Sequence, residues 1–269
     1  MATLFHLLCL ALRLCPPPVH GPTYTLSEAI IGPSFYDKFI WFPVPDYSHG
    51  RANYTDKETS RLLNLTYTTP DTFVLRADYT TLLDTGGAGR NSVRIRTSSS
   101  YTTHVAVFDI RHMPEGCGTW PAIWETKPTD WPTGGEVDIL EGVHGKSPNL
   151  ASLHTTPGCT MPANRTQTGT SVSDNCQGGC NVQFPMANSF GSSFNTNGGG
   201  WFALERRMDF IKMWFWDRKA TNVPPSIREG MGKLHTDSWG TPVAYFPNTT
   251  CDMMPYFDIA AIRIYEQVQ

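Results

Sequence analysis

Short runs of alternating or β-branched hydrophobic residues recur along the chain and predict β-strands. Gly, Pro, Asn or Asp residues separate these runs, as in proteins built from many short strands. No stretch has a sustained 3.6-residue hydrophobic period, and residues 226–230 form one helical turn at most. The clearest strand candidates are Thr72–Tyr79, Ser92–Thr97, His104–Ile110, Phe210–Trp216 and Phe257–Tyr265.

This pattern predicts an all-β sandwich. Residues 156–200 are polar, rich in Gly, Ser and Asn, and carry three cysteines, which predicts long surface loops held by disulfides. With 269 residues, of which 40% are hydrophobic, the chain suits one domain with its own core.

The segment Trp131–His144 places three carboxylates in an apolar stretch that predicts a buried strand. Glu136 and Asp138 share a face, because successive side chains of a strand point to opposite faces. Glu141 stands at an odd offset and would face away, unless one extra residue bulges out at Ile139-Leu140. A helix would spread the three acids to about 0°, 200° and 140°. We therefore predict a β-bulge at this point.

Several acids on one face of a buried strand need a chemical reason. The leading interpretation is a set of carboxylates that perform acid–base and nucleophilic catalysis. The alternatives are a solvated strand face and a calcium site. On a straight strand the backbones of Glu136 and Glu141 would be roughly 13 Å apart. Strand curvature and the two long side chains leaning together must close that gap.

Composition narrows the classes of partner. The net charge of −3, with no basic run, argues against nucleic acid as a partner. Aromatic residues make up 12% of the chain and include eight Trp, which serve mostly as core but also line sugar-binding clefts. Nothing in the sequence suggests an organic cofactor, and we expect none.

The N-terminus resembles a secretory signal peptide, which we assign to residues 1–22. An apolar run from Leu4 to Cys15 precedes three prolines, although the start lacks Lys and Arg and Arg13 interrupts the run. The run is too short to span a bilayer, so we expect no membrane partner. Four N-glycosylation acceptors add to the expectation of secretion to the extracellular space or cell wall. They are Asn53, Asn64, Asn164 and Asn248.

Removal of the leader would leave five cysteines, an odd number. We expect disulfides, since secreted proteins tend to pair their cysteines. Zinc ligation is the rival interpretation, but Cys176 and Cys180 have no second Cys or His pair at zinc spacing. We therefore predict no metal among the site residues.

Two adjoining stretches carry a resemblance to a known family. His112–Trp124 and Trp131–Val143 are similar to glycoside hydrolase family 16, and more closely to secreted fungal endo-1,3(4)-β-glucanases of the laminarinase type. The resemblance covers roughly residues 24 to 266, and we assign 23–269 to a catalytic domain of this family. Further similar stretches are Leu153–Cys159, Asn195–Trp201, Thr236–Pro242 and Phe257–Tyr265.

The resemblance implies a β-jelly-roll sandwich of the concanavalin A-like type and retaining hydrolysis through a glycosyl-enzyme intermediate. Glu136 matches the nucleophile and Glu141 the general acid/base, while Asp138 matches the acid between them that tunes their protonation. Three close carboxyls cannot all ionise easily, so at least one pKa should rise. The sequence does not show which pKa rises, and the two glutamates should titrate as a coupled pair.

The resemblance also implies substrate-binding residues. Trp124 and Trp131 match positions that line the sugar cleft, with core packing as the alternative. For Trp120 the two interpretations are nearly balanced. His154 and Arg94 match polar positions that contact sugar, although on residue type alone each would more often be structural.

The resemblance is incomplete near the C-terminus. After Asp252 such enzymes continue for tens of residues that include another apolar strand, whereas here only Met253–Tyr256 precede the final strand. The resemblance therefore predicts a sandwich that lacks a C-terminal strand and leaves an unpaired strand edge. The partner of the odd cysteine would lie in the absent piece.

These observations predict a monomeric, secreted endo-β-1,3(4)-glucanase that cleaves internal bonds of β-1,3 or mixed β-1,3/1,4 glucans. One alternative is a transglycosylase of the same family, which differs in how well the acceptor side excludes water. The other alternative is an inactive β-glucan-binding protein. Such proteins usually lose a catalytic Glu, and both are present here.

Overall fold

Two antiparallel sheets of seven strands each form the body of the protein in a computed structural model. The structure describes residues 21–48, 50–127, 129–249, 257–259 and 263–267. The predicted leader, apart from its last two residues, lies outside these ranges. The all-β sandwich predicted from the strand pattern is confirmed.

One sheet, here named the back sheet, contains the longest strands. Its neighbouring strands all pair antiparallel. Numbered in chain order, its strands lie in the spatial order β17 (Lys233–Leu234), β1 (Tyr24–Ala29), β20 (Arg263–Gln267), β9 (His104–Ile110), β15 (Gly200–Arg206), β16 (Phe210–Asp217) and β18 (Ala244–Pro247).

The other sheet, named the front sheet, carries the acidic strand at its centre. It is also antiparallel throughout. Its strands lie in the order β13 (Thr170–Ser173), β14 (Cys180–Gln183), β12 (Leu150–His154), β11 (Glu136–Glu141), β10 (Ala122–Thr126), β19 (Phe257–Ile259) and β8 (Ser100–Tyr101).

Three strand pairs and a few short helices complete the described structure. The pairs are β2 (Phe39–Trp41) with β7 (Ile95–Thr97), β3 (Ala52–Tyr54) with β6 (Arg90–Ser92), and β4 (Thr66–Thr68) with β5 (Phe73–Leu75). The helices are α1 (Phe35–Lys38), α2 (Lys57–Leu62), α3 (Gly191–Thr196) and α4 (Pro225–Arg228), with 3-10 turns at Gly32–Ser34, Ala187–Ser189 and Thr236–Trp239. No helix of the described chain is long and apolar enough to cross a membrane.

The main core fills the space between the two sheets. Val137, Ile139 and Leu140 of β11 point into it and meet residues of the back sheet such as Phe202 and Phe215. The back sheet is covered on its other face too, by a second cluster that includes Trp214 and Trp239. Burial on both faces explains why β15 and β16 read as continuous hydrophobic runs rather than as alternating ones.

The prediction for residues 156–200 is wrong in part. This region supplies β13, β14 and α3, and three of its phenylalanines, Phe184, Phe190 and Phe194, are at most 1% exposed. Isolated phenylalanines among polar residues give no periodic signal, so the sequence pattern hid their burial. The predicted disulfides are confirmed: Cys176 pairs with Cys180, and Cys159 is also disulfide-bonded.

The predicted final strand, Phe257–Tyr265, is two strands in different sheets. Phe257–Ile259 pairs between β10 and β8 of the front sheet, and Arg263–Gln267 pairs between β1 and β9 of the back sheet. The described parts of this segment thus occupy an inner position in each sheet. The short connection at Met253–Tyr256 lies outside the described residues, and the absence of a C-terminal strand stays a prediction.

A buried ion cluster ties the two sheets together behind the acidic strand. Glu125 of β10 is fully buried and points away from the acids into the core, where Oε1 lies 3.0 Å from Nε2 of His104. Its other oxygen lies 3.3 Å from Nη1 of Arg206. Burial alone would raise the pKa of Glu125, but His104 and Arg206 outweigh it, and the pKa is lowered. Because His104 and Arg206 are paired neighbours on β9 and β15, Glu125 fixes how the front sheet sits on the back sheet.

Replacement of Glu125 should destabilise the fold. Glu125→Gln removes a counter-charge from the buried Arg206, which should lower the free energy of unfolding by about 3–5 kcal/mol, measured by urea unfolding at pH 7. Because the folded pKa lies below the ordinary one, the contribution is present above the ordinary pKa of glutamate. It is lost as the pH falls through the folded value, so the two proteins should converge in acid.

The matched control is an exposed pair. Asp71 lies 3.0 Å from Arg111 with both side chains more than half exposed, so Asp71→Asn should leave the unfolding midpoint nearly unchanged. A Glu125→Gln protein as stable as this control would contradict a structural role for the ion cluster.

Candidate active site

A one-residue bulge in β11 brings the three acids to one face. In the pairing with β10, Leu140 lies opposite Ile123 and Asp138 opposite Trp124, which leaves Ile139 without a partner residue. Ile139 and Leu140 are therefore both able to point into the core. The bulge predicted at Ile139-Leu140 is confirmed, and it returns Glu141 to the outer face that carries Glu136 and Asp138.

The residue that follows the third acid fits only as glycine. A Cβ atom on Gly142 would lie 2.7 Å from the ring of Phe190, which is fully buried. The aromatic ring therefore fixes the backbone on the C-terminal side of Glu141. This contact joins the acid strand to the loop before α3.

An exposed tryptophan holds each of the two glutamates by its indole N–H. Trp131 donates from Nε1 to Oε2 of Glu136 at 3.1 Å, and Trp120 donates from Nε1 to Oε1 of Glu141 at 2.9 Å. Both rings are largely exposed, Trp131 by 61% and Trp120 by 56%. Each indole orients one carboxylate while leaving its ring face open to a ligand.

The middle acid is paired with a histidine on the next strand. His154 of β12 lies opposite Glu136 in register, and its Nε2 is 3.4 Å from Oδ2 of Asp138. Asp138 is almost fully buried, and Oδ2 makes no hydrogen bond with the described residues, so the imidazole provides its counter-charge. The ring of Trp131 lies 6.4 Å from that of His154, at an angle of 40°.

Burial and mutual repulsion keep the site partly protonated. Burial and the charges of Asp138 and Glu141 raise the pKa of Glu136 to about 7, against the opposing effects of His154 and Trp131. Burial and Asp138 also raise the pKa of Glu141, which the indole of Trp120 opposes. Burial raises the pKa of Asp138, and Asp138 in turn raises the pKa of His154. The cluster therefore holds a proton near neutral pH, as an acid catalyst requires.

The same cluster is the one set of side chains in the described chain that could hold a metal ion. Glu136, Asp138 and His154 each offer one ligand atom, and these atoms lie within 4.8 Å of one another. The contact between His154 and Asp138 balances one charge of this cluster, and the absence of a metal stays a prediction.

Comparison with known proteins identifies the family. Residues 39–265 match the model of the XgeA-like catalytic domain of glycoside hydrolase family 16. The chain belongs to glycoside hydrolase family 16.

Curated relatives of this family 16 domain are fungal. It is 36% identical to a probable glycosidase of Schizosaccharomyces pombe, over 92% of this chain and 59% of that protein. It is also 36% identical to an endo-1,3(4)-β-glucanase, xgeA, of Emericella nidulans, over 82% of this chain and 36% of the relative. The chain thus spans between about a third and three-fifths of the length of these relatives.

Solved structures confirm the jelly-roll fold of the family 16 domain. A laminarinase 16A mutant that cyclises laminariheptaose is 53% identical with a TM-score of 0.86, over 90% of this chain and 84% of that one. Laminarinase 16A from Phanerochaete chrysosporium, with β-glucans in donor and acceptor sites, is 46% identical with a TM-score of 0.86. The match covers 91% of this chain and 100% of that one. An elongating family 16 β-1,3-glucosyltransferase is 34% identical with a TM-score of 0.80. The match covers 90% of this chain and 81% of that one.

The other two predicted sugar-binding residues of the family 16 domain lie together. Trp124 pairs with Asp138 across β10 and β11, so its half-buried side chain belongs to the acid face. The guanidinium carbon of Arg94 lies 4.8 Å from the centre of the Trp124 ring and 5.9 Å from that of Tyr54. All seven predicted residues therefore belong to one region, and their contacts with sugar stay predictions.

Sequence reasoning left the role of Trp120 open. Its contact with Glu141 depends on a loop in which the N–H of His144 donates to the carbonyl of Thr119 at 2.9 Å. The N–H of Gly118 in turn donates to Nδ1 of His144 at 3.0 Å. No spacing rule reveals such a contact between distant loop residues. The indication available in the sequence was the placement of Trp120 just before a strand that pairs with the acids.

Removal of the charge on His154 should raise the pKa of the acids. His154→Gln eliminates the imidazolium that lowers the pKa of Glu136, Asp138 and Glu141, so the value for Glu136 should rise above about 7. Titration of carbon-13-labelled Glu carboxyls by NMR measures this directly and needs no substrate. The control is His235→Gln, an exposed histidine next to β17 of the back sheet, which should leave the pKa of Glu136 in place. A drop in the pKa of Glu136 in His154→Gln would contradict the electrostatic account.

Proposed function

We propose that this domain is an endo-β-1,3(4)-glucanase that cleaves internal bonds of β-1,3 or mixed β-1,3/1,4 glucans with retention of configuration. One observation carries the proposal: a bulged strand presents Glu136 and Glu141 on the same face, each held by the indole of an exposed tryptophan. The names of the relatives support the substrate class, since they are a glucanase and laminarinases.

In the first step the carboxylate of Glu136 attacks the anomeric carbon. The glycosidic C–O bond breaks, and Glu141 gives its proton to the leaving oxygen. In the second step Glu141 takes a proton from water, which attacks the anomeric carbon and releases Glu136 from the glycosyl ester. This sequence needs Glu136 ionised and Glu141 protonated. The pKa values of both glutamates are raised, so the coupled pair holds a proton, and the mechanism requires that this proton resides on Glu141 when the substrate is bound.

Asp138 has a different role in this proposal. It is buried between the two glutamates, and its charge raises the pKa of both. It therefore helps Glu141 to regain a proton after each turnover. His154 balances the charge of Asp138, so the site does not carry three uncompensated carboxylates.

Sugar binding follows from the arrangement of the aromatic residues. Trp120 and Trp131 are largely exposed and each bonds one of the two glutamates, and indole faces pack against the C–H side of glucose rings. Trp124, with Arg94 over its ring, extends this surface along the front sheet. Arg94 and His154 supply hydrogen-bond donors for sugar hydroxyls.

We propose that the protein is secreted. The apolar leader at residues 1–22, the disulfide between Cys176 and Cys180, and the N-glycosylation acceptors support an oxidising, extracellular destination. Among these acceptors, Asn53, Asn64 and Asn164 are exposed.

An activity assay tests the proposed reaction. Laminarin and lichenan should be cleaved to mixed oligosaccharides and carboxymethylcellulose should not. Glu136→Gln should lower kcat on laminarin by roughly 10³-fold or more, because no nucleophile remains. The matched control is Glu58→Gln, an exposed glutamate on α2, which should keep full activity. NMR of the first product should show the β-anomer; an α-anomer, or full activity of Glu136→Gln, would overturn the mechanism.

Transglycosylation is the second candidate, favoured by the similarity to the elongating glucosyltransferase and to the cyclising laminarinase mutant. Mass spectrometry of early products from dilute laminaritetraose separates the two, because water then outcompetes acceptor sugars for the glycosyl ester of a hydrolase. A hydrolase should yield mainly products shorter than the substrate. Longer products that dominate at low substrate concentration would assign the domain to group transfer instead.

A further inference from the structure

A buried asparagine next to β12 makes two hydrogen bonds to the backbone of the bulge. Nδ2 of Asn149 donates to the carbonyl of Ile139 at 2.9 Å, and Oδ1 accepts from the N–H of Glu141 at 2.9 Å. Asn149 is fully buried. One amide therefore spans the two residues on either side of Leu140, at the point where the strand departs from regular geometry.

The ladder between β11 and β12 ends before the bulge and leaves backbone groups that the sheet itself does not pair. The register of β11 with β12 runs from Glu136 opposite His154 only as far as Asp138 opposite Ser152. The carbonyl of Ile139 and the N–H of Glu141 lie beyond the end of this ladder. Buried backbone groups without partners are strongly unfavourable, so a side chain must replace the missing strand contacts.

The backbone N–H and the backbone carbonyl of Asn149 are both hydrogen-bonded. Its N–H donates to Oγ of Ser189 at 3.0 Å, and its carbonyl accepts from the N–H of Phe184 at 3.0 Å. Ser189 is fully buried and donates from Oγ to the carbonyl of Met186 at 2.6 Å. The amide of Asn149 is thus rigidly placed before it contacts the bulge.

We propose that Asn149 is a positioning residue for the general acid, which it holds in place through the backbone of Glu141. The inference rests on the proposed function, because it assigns Glu141 the role of acid. Asn149 does not touch the substrate in this scheme. It keeps the bulge at Ile139, and the bulge keeps the carboxyl of Glu141 beside the indole of Trp120 and on the same face as Glu136.

The requirement is chemically specific. The site needs one donor for a carbonyl and one acceptor for an N–H, separated as in a carboxamide. Alanine provides neither group. A protonated aspartic acid provides both, whereas an aspartate places an oxygen against the carbonyl of Ile139. Asn149→Asp should therefore reproduce the wild-type contacts only at a pH where the new carboxyl is neutral.

A leaving-group comparison distinguishes positioning of the acid from general damage. Asn149→Ala should lower kcat on laminarin by about 10²-fold, with little change in KM, because a small displacement of a catalytic group has effects of that size. On a dinitrophenyl β-laminaribioside, whose leaving group needs no proton, the loss should be less than about tenfold. Equal losses on both substrates, or unchanged activity on laminarin, would overturn the proposal.

Two variants keep the test independent of stability. Val223→Ala truncates a buried residue of the cluster behind the back sheet and should lower Tm without changing the ratio of the two activities. Asn149→Asp should retain activity on laminarin in acid and lose it at higher pH, more steeply than the wild type. Loss of activity in Asn149→Asp at every pH, with the fold intact, would contradict the hydrogen-bond account.

Failure of the proposed function gives a different result. If the wild-type protein cleaves neither substrate, the glucanase assignment is wrong. The crystal structure of Asn149→Ala then decides the structural claim. A bulge that remains at Ile139, with Glu141 still bonded to Trp120, would overturn the positioning role, and a shifted register would support it.

Discussion

The bulge at Ile139 is the constraint on which the rest of the site depends. A regular strand would send Glu141 into the core with Val137 and turn Leu140 to the outer face, since a shift of one residue reverses every later side chain. Exposure of a buried leucine costs about 1.5–3 kcal/mol, and burial of an unpaired carboxylate costs more. One extra residue satisfies both demands, because Ile139 and Leu140 enter the core while Glu141 joins Glu136 and Asp138.

The three acids on one face repel one another, and each acid has its own partner that reduces this repulsion. Asp138, the most buried, has the histidine; Glu136 and Glu141 each have one indole N–H. These partners reduce the repulsion without abolishing it, so all three pKa values stay raised. Behind the strand, Glu125 shows the opposite outcome, since His104 and Arg206 overcome burial and its pKa is lowered. The same residue type is held ionised where it supports the fold and left able to take up a proton where chemistry is proposed.

Local rules predicted the parts of the fold and site that depend on alternation along one strand. The β9 strand, His104–Ile110, has the predicted bounds, and parity alone located the bulge. The features of the fold and site that these rules did not predict depend on contacts between distant segments of the chain. Burial of Phe190 and Phe194 follows from packing against the sheets, and the bond from Trp120 to Glu141 follows from loop geometry. Asn149 also carries no local signature, because it precedes β12 while its partners Ile139 and Glu141 lie on β11, ten and eight residues earlier in the chain.

The two exposed tryptophans link substrate binding to protonation in the proposed mechanism. Each uses its N–H for a glutamate and leaves its ring face to solvent, so a sugar that stacks on the ring also shields the hydrogen bond below it. Removal of water strengthens that bond, because charge interactions grow in a medium of lower dielectric constant. The same removal of water disfavours a charged carboxylate, and burial outweighs the indole bond in the pKa of each glutamate. Stacking on the two rings would therefore keep the shared proton on the pair of glutamates rather than release it, which is what a site that must deliver a proton in the first catalytic step requires.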